Sequence, residues 1–438
     1  MNKDQAGTPD NGFGENGLVS APFSGVPGLP RATLALPNKQ LLVAVSRWGI
    51  REQAHLVRLN ENGTPDLAFG SNGAIEIPFE WGVWFYPDGL SRRPDGGWLI
   101  SGSVVDDRHI GSFLTIVRQD EDGQMDPSFG EDGKVIINVE KLVEDHYGLQ
   151  AQLTGQPTNE KAPESRLSQG RGSDIAAVEQ DGKIVAITTI SYGSNEVRGV
   201  VLRFNTDGSL DKSLNGIGFL LVDVPGIHYK RNWANAHVVQ KTGKILICGM
   251  FRRSESEPFE AFVMRYNQNG SVDTSYNEGS GSVIISKDRQ RHEFTNMTLR
   301  ADDGVVAIGT SNGEGLVVVL TPEGVFNQVF NGGQPLYSRI DARSLAWRRC
   351  DLQSTPGRLV VSGQGDRHSL LIARLFDDGK PDTDFGEKGW VTFLAGQGES
   401  ASYSGGTLMD DNRMVVCCEI SVGDGEGQPV GAVLRYLG

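Results

Sequence analysis

Short apolar runs alternate with turn residues along almost the whole chain. Typical runs are Leu41-Leu42-Val43, Trp98-Leu99-Ile100 and Ile245-Leu246, and pairs such as Asn38-Lys39 or Asp95-Gly96 precede them. Runs this short, bounded by Gly, Asn and Asp, predict β-strands joined by tight turns. We find no 3.6-residue helical period between them. The pattern therefore predicts an all-β fold.

A longer motif recurs seven times: an apolar run, an Arg, and then Gly-x-x-Asp-x-x-Phe-Gly. Its Asp position falls at Asp10, Asp66, Asp126, Asp211, Asp273, Asn327 and Asp382, with spacings of 56, 60, 85, 62, 54 and 55 residues. The position three residues later is always apolar: Phe13, Phe69, Phe129, Leu214, Tyr276, Phe330 and Phe385. Self-similarity at such a period is the signature of a repeat architecture.

Each unit predicts four strands, and seven four-stranded units predict a seven-bladed β-propeller that occupies residues 1–438 as a single domain. The chain begins inside a unit, at Gly7 to Val19, and stops at Val433 to Tyr436, in the half that precedes it. We therefore predict that one N-terminal strand joins three C-terminal strands in one blade. This arrangement would close the ring and remove the exposed sheet edges of an open array.

The repeated unit resembles the bacterial delta-60 repeat family. Its closest copy is Arg203-Phe204-Asn205-Thr206-Asp207-Gly208-Ser209-Leu210-Asp211, and the resemblance covers the chain apart from about residues 140 to 173. The resemblance implies a propeller. It implies little about activity, because a fold does not fix a function.

The Arg and Asp of each unit predict a charge-assisted pair that holds the turn. The copy with Val319 in place of Arg also has Asn327 in place of Asp, so both partners are lost together. Arg435 is expected to meet Asp10 across the closure. The predicted pairs are Arg58–Asp66, Arg118–Asp126, Arg203–Asp211, Arg265–Asp273, Arg374–Asp382 and Arg435–Asp10.

Signatures of metal or cofactor binding are weak in this sequence. Calcium is the alternative for the Asp-rich turns, such as Asp120-x-Asp122-Gly-x-x-Asp126, but the repeated Arg already supplies a positive charge there. No His-Glu-x-x-His, phosphate-binding loop or Cys-x-x-Cys spacing occurs. We therefore expect no metal and no cofactor. Four cysteines in 438 residues are typical of a reducing compartment.

Composition argues against two classes of partner. The chain has 41 Lys and Arg against 55 Asp and Glu, a formal charge of −14, which disfavours nucleic-acid or anionic-membrane binding by bulk charge. No window approaches the roughly 18 apolar residues of a membrane span. The segment from Met1 to Gly7 lacks the apolar stretch of a signal peptide. We expect a cytoplasmic protein, or one exported without a cleaved signal.

The loops between second and third strands and the crossings between blades vary freely, so we expect binding residues there. They carry most of the histidines and tryptophans, and they are rich in Arg and Tyr. The candidates are Trp48, Trp81, Trp84, Tyr86, His228, Tyr229, Arg231, Trp233, Arg291 and His292. Such side chains suit a protein or carbohydrate partner. A non-catalytic binding propeller is the leading hypothesis. The alternatives are a hydrolase or lyase with a site at the mouth of the central channel, and a scaffold or delivery subunit of a larger assembly.

The spacing of 85 between Asp126 and Asp211 exceeds its neighbours by about 25 residues. We predict that residues 140–173 form a polar loop insertion between two blades, since long surface loops cost little free energy.

Overall fold

The structure is a computed structural model, and it describes residues 5–46, 53–106, 112–148, 151–153, 176–178, 182–192, 196–287, 289–340, 344–354, 357–366, 368–422 and 428–438. Within these residues the strands form seven antiparallel sheets arranged as the blades of a propeller. The prediction of an all-β, seven-bladed propeller is confirmed. At six of the seven junctions the first strands of neighbouring blades contact each other, and these strands surround the central channel.

The N-terminal strand and the first three blades precede residue 222. The N-terminal strand is β1 (Leu18–Ser20). Blade 1 contains β2 (Leu29–Ala35), β3 (Leu41–Ser46), β4 (His55–Leu59) and β5 (Ala74–Glu76). Blade 2 contains β6 (Val83–Arg92), β7 (Trp98–Asp106), β8 (Ser112–Gln119) and β9 (Lys134–Ile137), and helix α1 (Val139–Tyr147) follows it. Blade 3 contains β10 (Ala151–Leu153), β11 (Ala176–Val178), β12 (Ile184–Tyr192), β13 (Glu196–Phe204) and β14 (Phe219–Leu221).

The remaining four blades follow in chain order. Blade 4 contains β15 (Asn232–Val239), β16 (Ile245–Phe251), β17 (Glu260–Tyr266) and β18 (Ser282–Ile285). Blade 5 contains β19 (His292–Leu299), β20 (Val305–Ser311), β21 (Glu314–Leu320) and β22 (Leu336–Ser338). Blade 6 contains β23 (Ala346–Leu352), β24 (Arg358–Gln364), β25 (Ser369–Phe376) and β26 (Trp390–Leu394). Blade 7 contains β27 (Glu399–Leu408), β28 (Met414–Val422), β29 (Val430–Tyr436) and β1. Short 3-10 turns occupy Pro37–Lys39 and Phe330–Gly333.

Blade 7 closes the ring as predicted. Its outer strand β1 pairs antiparallel with β29, with Leu18 opposite Leu434 and Ser20 opposite Ala432. An isolated bridge between Pro9 and Tyr436 extends this junction. One N-terminal strand and three C-terminal strands therefore form a single sheet, and every blade lies between two neighbours.

The apolar runs of the sequence follow from this packing. The second strands β3 and β16 are buried along their whole length, because each blade is covered by a neighbour on both faces. Seven apolar clusters fill the spaces between consecutive blades. The cluster at the closure joins Phe13 and Cys417 of blade 7 to Leu41 and Val43 of blade 1.

A β-bulge interrupts the first strand of six blades at equivalent positions. One residue per strand is skipped in the register there: Arg31, Asp88, Asn235, Thr295, Arg348 and Ser404. In blade 3 the first strand is divided at this level into β10 and β11, which both pair with β12. Residues 154–175, between these two strands, lie outside the described residues.

The segment predicted as a polar loop over 140–173 differs from expectation in its first part. Helix α1 occupies Val139–Tyr147, although we expected no helix. The side chain of Asn138 caps it by accepting a hydrogen bond from the backbone N–H of Lys141 at 2.8 Å, and Gly148 ends it in the left-handed conformation. Val139 and Val143 are buried in the cluster between blades 2 and 3, and this packing stabilises the short helix. The polar composition of the segment did not indicate it.

Candidate functional site

The propeller has two different ends. We call the end with the turns between first and second strands and between third and fourth strands the motif end. The other, the variable end, carries the loops between second and third strands and the crossings between blades. The alternation of antiparallel strands places the repeated Arg–Asp motif at the motif end and the predicted binding residues at the variable end.

All six predicted Arg–Asp pairs are present at the motif end. In each, the Arg Nε lies within ion-pair distance of one carboxylate oxygen of the Asp. The distances are 2.7 Å for Arg58–Asp66, 2.9 Å for Arg118–Asp126, 2.8 Å for Arg203–Asp211, 2.7 Å for Arg265–Asp273, 2.9 Å for Arg374–Asp382 and 2.8 Å for Arg435–Asp10. The last pair crosses the closure of the ring.

Blade 3 shows how the motif joins one blade to the next. Arg203 donates from Nε to Asp211, from Nη2 to the Ser213 hydroxyl at 2.8 Å, and from Nη1 to the backbone carbonyl of Gln268 in blade 4 at 2.7 Å. The backbone N–H of Asn215 donates to the carbonyl of Asn269 in the same neighbouring turn at 2.8 Å. Each nitrogen of the guanidinium thus makes a hydrogen bond although the side chain is buried, which offsets its desolvation.

The apolar position of the motif packs beneath the arginine. The Arg guanidinium lies over the ring at 4.5 Å in the Arg58–Phe69 pair and at 4.3 Å in the Arg435–Phe13 pair. Equivalent contacts occur for Arg118, Arg265 and Arg374. Blade 3 has Leu214 instead, which still fills the space. The aromatic residue therefore combines burial of apolar area with a cation–π contact.

A second polar residue that we did not predict contacts each motif Asp. It lies at the start of the second strand or just before it, except for Arg93 in blade 2, which directly follows the first strand. The contacts are Gln40–Asp66 at 3.0 Å, Arg93–Asp126 at 3.6 Å, Lys183–Asp211 at 3.1 Å, Lys244–Asp273 at 2.7 Å, Arg358–Asp382 at 2.6 Å and Arg413–Asp10 at 3.1 Å. Blade 5, which lacks the Arg–Asp pair, has Gly304 at this position. In four copies, a basic residue stands one position before the apolar run of the second strand. This repeated position is the sequence pattern that could have predicted the second contact.

These contacts keep the motif carboxylates ionised. Burial by itself would raise the pKa of Asp211, but hydrogen bonds from Ser213 and Lys183 and the charge of Arg203 lower it to about 2. The pKa of Asp273 is lowered by the same kinds of partner, after the same opposing effect of burial. Turn oxygens are engaged as well, since the carboxylate of Asp120 accepts the backbone N–H groups of Asp122 and Gln124. Across the described part of the chain, no three His, Cys, Asp or Glu side chains are grouped to hold a metal ion.

The tryptophans of the variable end have different environments. Trp81, in the crossing from blade 1 to blade 2, is 88% exposed, whereas Trp84 is buried in the blade. Tyr86 is half-buried, and burial raises the pKa of its phenol against the opposing charge of Arg31. Trp48 lies outside the described residues. Of the described residues in this group, Trp81 is the most exposed.

A second group of predicted residues gathers around Glu255, in the loop between β16 and β17. The carboxylate of Glu255 accepts a hydrogen bond from the Tyr229 hydroxyl and pairs with Arg231 at 3.2 Å and Arg252 at 2.7 Å. These partners lower the pKa of Glu255, the tyrosine hydrogen bond most of all. His228 is exposed beside them. The group is a hydrogen-bonded surface network on blade 4.

Several of the predicted binding residues make packing contacts within the propeller. Trp233 is buried and packs edge-on against Phe259, with ring centroids 5.2 Å apart. Arg291 stacks over the same Phe259 ring at 5.1 Å and pairs with Glu293 at 3.0 Å. His292 has no exposed surface, and burial lowers the pKa of its ring. Arg231 and Trp84 are buried too, so sequence position in a variable loop did not predict accessibility.

Fold and motif together define a seven-bladed β-propeller built from repeats. Three segments, residues 36–69, 179–214 and 240–276, match a family model described as "Domain of unknown function (DUF5122) beta-propeller". The segments lie in blades 1, 3 and 4, and each ends at or beside the apolar position of the motif. These three segments are therefore similar to DUF5122 β-propeller repeats. No curated protein matches the sequence.

Solved propellers resemble the chain in overall fold only. Virginiamycin B lyase from Staphylococcus aureus is 11% identical, with a TM-score of 0.44, over 95% of this chain and 98% of that one. A periplasmic gluconolactonase of Pseudomonas aeruginosa is 14% identical, with a TM-score of 0.44, over 91% of this chain and 95% of that one. A protein of unknown function from Dyadobacter fermentans is 13% identical, with a TM-score of 0.42, over 79% and 93%. Similarities of this size carry no argument about activity.

Proposed function

We propose that the chain is a non-catalytic binding propeller that recognises a partner protein through its variable end. The exposed indole of Trp81 carries this proposal. Trp84, Trp98, Trp233 and Trp347 are buried and Trp390 is half-buried, so Trp81 is the most exposed indole among the described residues. A large exposed aromatic side chain held by a rigid scaffold is typical of an interface anchor, because it buries much area at a low entropic cost.

Further apolar side chains are exposed at the same end of the propeller. Leu394 ends β26, Val422 ends β28 and Val430 begins β29, and all three positions point to the variable end of blades 6 and 7. Exposed aliphatic side chains favour a protein partner over a carbohydrate, which is recognised chiefly by aromatic faces and hydrogen bonds. We further propose that the repeats are of the delta-60 type, since three matched segments contain the Arg and Asp of that unit.

The test compares two exposed apolar residues at opposite ends. A photo-crosslinking amino acid placed at Trp81 should trap a defined partner in extracts of the source cells, and the same label at Leu67 of the motif end should not. Leu67 is exposed, so it controls for accessibility. Trp81→Ala should weaken binding of the trapped partner at least tenfold, while the melting temperatures of Trp81→Ala and Leu67→Ala stay close to that of the parent.

Two results would contradict the proposal. Equal trapping at both positions would show that contact at Trp81 is non-specific. If instead glycans but no proteins raised the melting temperature of the parent and not of Trp81→Ala, the partner would be a carbohydrate, and the choice of a protein would be wrong. The matched Leu67→Ala variant separates either result from a loss of fold.

A further inference from the structure

The crossing that follows the outer strand of a blade covers part of the next blade with an apolar side chain. In five junctions this residue stands thirteen positions after the Asp position of the motif, and we call it the cover residue. The five cover residues are Phe23, Phe79, Val139, Val224 and Ile340. Phe79 is half-buried and the other four are buried, all in the apolar clusters between blades.

The other two junctions depart from this pattern. Blade 4 has a motif loop one residue longer, and its corresponding residue, Lys287, lies over the Tyr337 ring of blade 5 at 5.1 Å. Blade 6 has Ala395 at this position, which is half-buried, and Gly396 follows it. The crossing from blade 6 to blade 7 therefore supplies no large side chain.

The residue after the cover residue differs in the same way. In blade 3 it is Pro225, and a Cβ added to Gly281, just before the outer strand of blade 4, would lie 3.6 Å from its Cγ. In blade 7 it is Ser24, whose Oγ would lie 3.2 Å from a Cβ added to Gly73 of blade 1. Gly17 is the equivalent glycine of blade 7, and the three atoms nearest to a Cβ there all belong to blade 7 itself.

A cavity of about 330 Å³ lies at this place, with Gly17 in its lining. Its apolar walls are formed by Pro9, Leu18, Phe393, Leu434 and Tyr436. Most of these residues pack in the cluster between blades 6 and 7, which Ala395 also contacts. Walls without partner atoms forgo dispersion contacts, so an apolar group that enters the cavity gains them. The volume is at the lower end of the range of about 300–1,000 Å³ for ligand sites.

Tyr436 adds one polar group to this cavity. The side chain is 6% exposed, and its hydroxyl is not fully enclosed, yet the hydroxyl makes no hydrogen bond among the described residues. In blade 4 the equivalent hydroxyl, that of Tyr266, accepts the backbone N–H of Asp223 from blade 3 at 3.3 Å. The Tyr436 hydroxyl is therefore available to a polar group that enters the cavity.

Charge at the rim favours a neutral or basic occupant. Glu15 lines the cavity and is exposed. In blade 3, Asp223 beside the cover residue is paired with Arg198 at 3.1 Å, whereas blade 6 has Ser369 at the position of Arg198. An acidic residue carried by an occupant would thus meet Glu15 and lack the basic partner that blade 3 provides.

The complete junctions show which side chains fill this space. Between blades 3 and 4 they belong to the consecutive residues Val224 and Pro225 of the crossing. We propose that the junction between blades 6 and 7 binds an extended segment of a partner protein that carries an apolar pair such as Val-Pro. The pair lies over Gly17, and a backbone N–H of the segment donates to the Tyr436 hydroxyl. This site is separate from Trp81, which lies in the crossing between blades 1 and 2.

Fluorescence anisotropy of a labelled peptide tests the proposal on the full chain. The peptide is Leu-Val-Lys-Val-Pro-Gly, the sequence of residues 221–226 with lysine in place of Asp223. We expect saturable binding of one peptide per chain. The same peptide with Ala-Gly in place of Val-Pro should bind at least tenfold more weakly, because it brings no more apolar surface than Ala395 and Gly396 already supply.

Two variants of the chain test the two contacts. Ala395→Val restores the cover that Val224 provides in blade 3, so it should weaken peptide binding at least tenfold and raise the melting temperature. Tyr436→Phe removes the free hydroxyl and should weaken binding about fivefold. Tyr266→Phe is the matched control, because its hydroxyl is bonded within the chain, and it should leave peptide binding unchanged. Trp81→Ala should also leave it unchanged, so this proposal and the proposed function fail independently.

The proposal is overturned by any of four results: no saturable peptide binding, equal binding of the Ala-Gly peptide, full affinity in Ala395→Val, or equal losses in Tyr436→Phe and Tyr266→Phe. Binding of cyclohexanol without binding of the peptide would assign the cavity to a small ligand and overturn it as well. So would a dimer that Ala395→Val abolishes in a chain that binds no peptide. Melting temperatures verify the fold, and if Ala395→Val lowered it, the two tyrosine variants would decide.

Discussion

The buried carboxylate of Asp211 should contribute a measurable, pH-dependent part of the stability. Its pKa is about 2 in the folded protein, against an ordinary value of 3.8. The difference of about 1.8 units, at about 1.4 kcal/mol per unit, corresponds to about 2.5 kcal/mol. Asp211→Asn should therefore cost at least this much at pH 7. The cost should reach at most about 5 kcal/mol, because the substitution also leaves Arg203 buried without its counter-charge.

The sign of the pH dependence follows from the depressed pKa. The ionised form is favoured in the folded state, so the stabilisation is complete above pH about 5 and is lost as the pH falls through 2. About half of it should be gone at pH 3. The gap in unfolding free energy between the parent and Asp211→Asn should therefore shrink by about 1 kcal/mol between pH 7 and pH 3.

Urea titrations followed by tryptophan fluorescence measure this gap. Asp207→Asn is the matched control, because Asp207 lies exposed in the same turn and binds only Ser209 there, as Asn269 binds Ser271 in blade 4. It should change the unfolding free energy by less than about 0.5 kcal/mol. A cost for Asp211→Asn equal to that of the control, or one that does not change with pH, would refute the ion-pair reasoning.

Two further predictions concern buried positions. Burial lowers the pKa of His237 from 6.5 to about 4, so the folded state disfavours the protonated ring, and the unfolding free energy should fall by about 3 kcal/mol between pH 7 and pH 4. In urea titrations, His237→Gln should make this dependence on pH smaller. An unchanged dependence would contradict the assignment to His237. Phe13→Ala should lower the unfolding free energy by about 3–5 kcal/mol, because Phe13 is buried at the closure. Phe13→Leu should lower it by about 1–2 kcal/mol, because Leu214 fills the same position in blade 3. Equal losses in the two variants, measured by thermal unfolding, would show that the ring packing under Arg435 is unimportant.

The motif end was largely predictable because its residues repeat. Each Arg and its Asp are eight residues apart along the chain in the five copies that do not span the closure, and one turn brings them together. The loss of both partners in one copy, at Val319 and Asn327, indicates a pair from the sequence alone. Lys183 and Lys244 were missed, although they precede the second strand at a repeated position, because they meet the Asp across the sheet.

The variable end was less predictable because burial there depends on neighbouring blades. His292 and Trp233 occupy variable-loop segments in the sequence, yet both are enclosed once Phe259 and the next blade are in place. Trp81 differs from Trp84 by only three residues and is exposed. Nothing in the local sequence distinguishes these two indoles. Trp84 lies in β6 and is buried there, whereas Trp81 lies in the crossing before that strand and is exposed.

The sequence by itself determined the number of blades, the closing strand and the ion pairs of the motif. These features arise from local patterns that repeat seven times, so each copy supports the interpretation of the others. Only the folded chain fixes which loop residues are accessible and which second residue meets each motif Asp. Both depend on contacts between residues far apart in the chain, such as Arg413 and Asp10, which pair only because the ring closes.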